Sequence, residues 1–322
     1  MATAPILALS RSPTLVSPPL PAEKRGLVKD PDYWFEDGNI IITATNFHPG
    51  SRPCGFRVHQ GALFGHSAVL QDLLARPLQI TDTAYDCAVV HFSESHHNLK
   101  CFLRAIYGGI GPNEILSFAD AAALVRLGHQ YGVERVYTLG MRSLFPPKKP
   151  WSRLLNSGDK AIEAANLFTA TKCPPALLVA LYCCAKLDPA SLVRGSIRTD
   201  GFLEVLDAHN MILCLHARET FARLRMAFFI RTLTLPPPES CETPSSCPKH
   251  IRKTLPQYAD DIRGGFSELF LNWEKNDSIC KSCRKFLTRR ETKFRASLRS
   301  SLPELMGVEL KCWDPSNPVM LS

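Results

Sequence analysis

Apolar positions at Phe56 and Val58 alternate with polar neighbours, and after Gly61 this period gives way to Leu63, Phe64, Ala68, Leu70, Leu73 and Leu74 at roughly helical spacing. The pattern predicts a short strand feeding a helical hairpin. Upstream, Asn39 to Thr45 is β-branched and apolar, which favours a strand, and Ala88 to Phe92 reads the same way. A helix is expected from Ser95 to Tyr107, with the Ser95 hydroxyl as N-cap and Gly108-Gly109 as its stop. Two more follow: Phe118 to Tyr131, carrying Phe118, Ala122, Val125 and His129 on one side, and Val133 to Phe145, through Val136, Leu139 and Leu144. Strands with helices packed over them make an α+β unit.

The run Pro146-Pro147-Lys148-Lys149-Pro150 cannot continue a helix and marks the expected boundary between two domains. Beyond it the pattern is helical throughout. A cap near Asp159 opens a run to Thr171, Pro174-Pro175 occupy the first turn of a helix to Lys186, and a longer helix covers Met211 to Thr234. Residues 235–250 read as a Pro/Ser/Cys-rich loop. The expected organisation is a tail over 1–30, an α+β domain over 31–146 and an all-helical domain over 151–322.

Composition narrows the class. A chain of 322 residues suits two domains, and its 45% apolar and 21% charged content fits a folded, soluble protein. The net charge of +8 permits contact with nucleic acid or acidic surfaces without requiring either. Pro5 to Leu9 is apolar, but no basic residue precedes it and prolines follow, so a signal peptide is not expected. Nor is a membrane span, since no apolar run reaches about 20 residues. Twelve cysteines are too dilute for a secreted disulfide scaffold, and several, including Cys87, Cys101, Cys183, Cys184 and Cys214, sit in apolar segments. A reduced cysteine packs as a small hydrophobe, so the expected compartment is cytoplasm or nucleus.

The strand-to-helix stretch from Phe56 to Leu74 resembles the signature of the BTB/POZ domain family. The resemblance is closest to fungal BTB domain-containing proteins. It is carried further by Asp32 to Ile40, by Val89-Val90-His91-Phe92 and by Leu99 to Tyr107, and it covers about Asp32 to Leu144. The positions matching the motif are Asp37, Phe56, Val58, His59 and Leu63, followed by Ser67, Leu70, Leu99, Leu103 and Tyr107. Asn46 to Gly55 departs from the tighter hairpin usual in those relatives. The resemblance implies a protein-interaction adaptor that self-associates, as a homodimer, or recruits partners. It also implies two partner classes, a cullin-type ubiquitin ligase scaffold or a transcriptional co-regulator, and it gives His59 an architectural role at the strand-to-helix turn.

Candidate chemistry is sparse. Cys280-x-x-Cys283 has a spacing that can place two thiolates on one zinc ion, with Cys241, Cys247, His250 and Cys312 available as further ligands. No second C-x-x-C accompanies it. Ile279, Cys283, Phe286, Phe294 and Leu298 share one helical face, which favours plain packed cysteines over zinc or a redox pair, and no cofactor is expected. The same helix carries Lys281, Arg284, Lys285, Arg289, Arg290, Lys293, Arg295 and Arg299 against Glu291 alone. That surface supports the rival reading, a nucleic-acid-binding regulator using residues 281–299. A solvated polar face opposite an apolar stripe accounts for it better, because no base-reading module is present. His91, His96 and His97 lack partners at metal-ligand spacing. No G-x-S-x-G, Walker A loop, G-x-G-x-x-G or H-E-x-x-H occurs, so no enzyme activity is expected.

Overall fold

The structure, a computed structural model, describes residues 27–45, 52–75, 87–146, 158–253, 273 and 276–316. It is mixed α+β and divides into two units: Met1–Cys173 with Ile197–Glu204 and Met320–Ser322, and Pro174–Ser196 with Val205–Val319. No helix among the described residues is long and apolar enough to cross a membrane.

The first unit is built on a four-stranded sheet of β1 (Val28–Trp34), β2 (Ile40–Thr43), β3 (Cys54–Val58) and β4 (Ala88–His91), in the order β1-β3-β2-β4. β3 runs parallel to β1 and antiparallel to β2, and β2 runs parallel to β4. β2 is Ile-Ile-Ile-Thr with every residue buried, the pattern of a strand covered on both faces. β1 starts inside the stretch expected to be a tail. Its partner Cys54 is distant in sequence, and Pro31 within it is tolerable because an edge strand leaves one row of backbone groups unpaired. Residues 1–26, and the connection over 46–51, lie outside the described residues.

Helices α1 (Gln60–Phe64) and α2 (Ala68–Ala75) form the hairpin that follows β3. The Ser67 hydroxyl opens α2 by accepting the Leu70 N–H at 2.9 Å and donates to the Tyr131 carbonyl. Helix α3 (His96–Ile106) is capped as expected, Ser95 Oγ accepting from the Asn98 N–H at 3.2 Å, and Gly108 ends it at φ 74°, where a side chain would be strained. Its buried line is Leu99, Phe102, Leu103 and Ile106. Helix α4 (Phe118–Gln130) begins with a capping box between Ser117 and Asp120 and pairs with α5 (Glu134–Leu144). The buried side of α4 runs through Ala121, Leu124, Val125 and Gly128, whereas His129 is exposed and Phe118 half-buried. Phe118 and His129 therefore do not share its core face, because the five successive small or apolar residues from Ala121 to Val125 shift the stripe.

Two expectations for the second half are corrected. The first unit does not stop near 146. Helix α6 (Ala161–Ala170), entered through a 3₁₀ turn at Gly158–Lys160, belongs to it, and Phe168 stands against Phe145 with ring centroids 5.6 Å apart. The proline run at 147–150 is outside the described residues. The half is also not all-helical, since β5 (Ser196–Ile197) and β6 (Leu203–Glu204) form a hairpin. Strands of two residues carry no readable periodicity. Within the hairpin Arg198 meets Asp200 and Glu204, and Asn166 of α6 donates to Glu204 at 2.7 Å, while Arg126 of α4 meets Glu163 of α6 at 3.3 Å.

The second unit contains α7 (Pro174–Cys184), α8 (Pro189–Arg194), α9 (Ala208–Thr234), α10 (Cys247–Lys253), α11 (Lys281–Ser300) and α12 (Leu302–Met306). α7 is buried nearly all round, as a helix with apolar residues on every side must be. α9 runs 27 residues from its N-cap Asp207 and contacts α7 through Cys214, whose thiol donates to the Leu181 carbonyl. Arg218 of α9 donates to the Ala185 and Leu187 carbonyls just past the C-terminus of α7. The expected loop over 235–250 ends early, because α10 begins at Cys247.

Candidate functional site

Four side-chain groups stand out, three in the first unit and one in the second. The first gathers the ten motif positions singled out in the sequence. Phe56, Val58, Leu63, Leu70, Leu99 and Leu103 are core residues and Ser67 is the buried cap of α2, so these seven build the fold and face no ligand. The other three meet at the strand-to-helix turn. The Tyr107 hydroxyl accepts from the His59 backbone N–H at 3.0 Å and lies 3.1 Å from His59 Nδ1, while His59 Nε2 stands 3.2 Å from Asp37 Oδ1. That contact, its largest cause, holds the exposed Asp37 carboxyl below its ordinary value. Phe35 stacks obliquely on both rings at 5.1 Å. His59 thus ties the end of β3 to the end of α3.

The second group was not legible in the sequence. Asp30 of β1 is fully buried, and its Oδ1 accepts the N–H groups of Asp32 (2.9 Å) and Tyr33 (3.1 Å) while Oδ2 meets His96 Nε2 (2.9 Å) and Lys100 Nζ (3.3 Å). His96 therefore has an acidic partner, and Cys54 lies beside them. Burial alone would raise the Asp30 carboxyl, but the Asp32 amide, His96 and Lys100 outweigh it and hold the group lowered from its ordinary 3.8. Stabilisation from Asp30 is then complete above the unfolded carboxyl value and is lost as pH falls through the lower folded one. We expect Asp30→Asn to cost about 1–3 kcal/mol at neutral pH and to shrink the loss of stability below about pH 4, as read from urea unfolding at both pH values.

His97 likewise gains partners, Asp120 at 3.4 Å and the Cys101 sulfur at 3.7 Å. A Cys–His–Asp set invites a nucleophilic reading. Its electrostatics oppose it: the Cys101 thiol donates to Asp120, and burial together with that carboxylate pushes it up to about 12. A thiol held protonated is a poor nucleophile.

The fourth group lies in the second unit. Cys280 is the N-cap of α11 and Cys283 sits in its first turn, Cys241 is on the connection after α9, and Cys247 opens α10. Their four sulfurs lie within 4.8 Å of one another, with Cys283 to Cys241 at 3.4 Å and Cys280 to Cys241 at 3.9 Å. Backbone N–H groups point at the sulfurs, Cys280 N–H to Cys247 Sγ at 3.3 Å and Cys283 N–H to Cys280 Sγ at 3.5 Å. Burial opposes ionisation of Cys280, yet the amides of Cys283 and Glu242 and the neighbouring thiols bring it down to about 6, whereas burial pushes Cys283 up. Trp273, Ile279 and Leu287 wall the group. The expected stripe is redrawn as well: the line buried on α11 is Cys283, Leu287 and Glu291, with Phe286, Phe294 and Leu298 only half-buried.

On the same helix Arg284 pairs with Asp277 at 2.9 Å and Arg295 with Glu291, while Lys281, Lys285, Arg289 and Lys293 are exposed. Part of the basic surface thus serves internal pairs. No protein-family model matches this chain, and no curated protein matches its sequence.

Proposed function

We propose that the first unit is a BTB/POZ-like protein-association module and that the chain acts as a non-enzymatic adaptor in the cytoplasm or nucleus. The observation that carries the reading is the joint placement of the motif positions. Phe56 and Val58 fill the sheet core, His59 is bound to Tyr107 where β3 passes into α1, and Leu63, Leu70, Leu99 and Leu103 are buried with Ser67 capping α2. A sequence that resembled the motif by chance would not be expected to place all of these positions so.

Surface chemistry supports association. β1 is an edge of the described sheet with Val28 exposed, and an unpaired strand edge is a template for another chain. In the second unit Ile212, Leu215, Met226 and Ile230 recur at helical spacing along one face of α9 and are all exposed. Exposed apolar stripes of this kind mark protein–protein contacts, which suits a second docking surface for a protein partner, a ubiquitin ligase scaffold or a co-regulator among them.

Light scattering on the full chain tests the reading. We expect a particle of twice the chain mass, as closed two-fold pairing is the commonest arrangement, and we expect Ile230→Glu to leave it intact. A monomer at every concentration removes self-pairing. Loss of the dimer in Ile230→Glu moves the pairing surface to the second unit.

A further inference from the structure

We propose that Cys241, Cys247, Cys280 and Cys283 bind one zinc ion through four thiolates, forming a structural centre that fastens the connection after α9 and the start of α10 to the first turn of α11.

The argument rests on convergence. Cys247 and Cys280 are 33 positions apart and Cys241 and Cys283 are 42 apart, so no local spacing brings these sulfurs together. Tetrahedral zinc with Zn–S bonds near 2.3 Å sets its sulfurs about 3.8 Å from one another. The observed 3.4 and 3.9 Å separations bracket that value, and the 4.8 Å outer limit is within a small rotamer adjustment of it.

Plain packing accounts for less. The core cysteines Cys183, Cys184 and Cys214 are buried in helices, with Cys214 donating to a carbonyl. Cys184 and Cys214 also meet side chain to side chain, but as a buried pair, whereas in the proposed centre four sulfurs converge and Cys241 and Cys280 are only half-buried, which leaves a path for an ion. The two amides directed at Cys247 and Cys280 are the donors that thiolates bound to a metal require around them. Cys280 and Cys283 also sit at the positive end of a 20-residue helix, which favours negative sulfur.

Charge balances as follows. Zinc displaces the protons of four thiols, which pass to solvent, and the centre keeps a net charge of −2, with Lys281, Arg284 and Lys285 on the adjoining turn of α11. No electron is transferred. Zinc suits the set because four soft thiolates in a tetrahedral array select it over hard, oxygen-seeking cations.

The test uses the full chain purified under reducing conditions with zinc in the growth medium. Metal analysis should find about one zinc per chain, and Cys283→Ser should lower that to below about 0.2. Cys312→Ser, at an exposed cysteine outside the cluster, should retain the full content. Chelation of the wild-type chain should lower its melting temperature, and zinc should restore it. If Cys283→Ser does not fold, cobalt added to the chelated wild-type chain decides the matter: the visible and charge-transfer bands of tetrahedral cobalt tetrathiolate are expected. Protein that carries no zinc, gives no such spectrum and melts unchanged with chelator overturns the proposal. So does recovery of these cysteines as disulfides from a reduced preparation.

Discussion

Truncating Leu103 to Ala should destabilise the first unit by about 2–5 kcal/mol, while the same change at Ile115 should register within about 0.5 kcal/mol. Both are large aliphatic residues of the same unit, and they differ in surroundings. Leu103 is 0% exposed on the inner line of α3, and Ile115 is 86% exposed on the connection before α4. Shortening a fully buried leucine loses its transfer free energy and leaves a cavity that a packed core refills only in part. For a domain whose whole margin is about 5–15 kcal/mol the loss is a large share. Urea unfolding followed by a probe in the first unit checks it. A cost below 1 kcal/mol at Leu103 would mean that α3 does not pack on the sheet as described.

The elements of the first unit were legible because their signals are local. The cap Ser95, the stop at Gly108-Gly109 and the alternation of Phe56 and Val58 each depend on residues a few positions apart, and the structure has them in those roles. Features that depend on distant partners were hidden. Asp30 looks like one more surface aspartate until β1 carries it against α3, 66 positions along, to meet His96. The hairpin of β5 and β6 meets α6 through Glu204, which accepts from Asn166, polar residues that a hydrophobic pattern ignores.

The cysteines show the same limit from another side. Cys280 and Cys283 announce themselves by spacing, and Cys241 and Cys247 were visible as partners, but the C-x-x-x-x-x-C spacing of the second pair carries no metal signature. Helical periodicity then assigned Cys283 to an apolar stripe. That assignment accounts for its burial and leaves unexplained why three other sulfurs stand within 4.8 Å of its own. A residue can serve a stripe and a cluster at once, and only the tertiary fold separates the two.

Replacing Gly128 by Ala should destabilise the α4–α5 pair, and replacing Gly61 by Ala should not, although both glycines lie within helices. Helix propensity alone predicts a gain of about 1 kcal/mol at each, because alanine loses less chain entropy and covers the backbone. Sterics decide the sign. At Gly61 a Cβ would meet nothing within 4 Å. At Gly128 it would stand closer than 3.0 Å to the backbone nitrogen and Cα of Tyr137, and Gly140 faces α4 in the same way, 2.8 Å from the Ala121 carbonyl and 2.9 Å from the Val125 nitrogen. These are backbone atoms that cannot rotate aside, so the two helices would have to separate at one end. Overpacking of that kind costs about 1–3 kcal/mol, enough to reverse the propensity gain. Thermal melts should therefore show Gly128→Ala below and Gly61→Ala level with or above the parent. Equal gains at both positions would show that α4 and α5 do not approach as closely as their glycines allow.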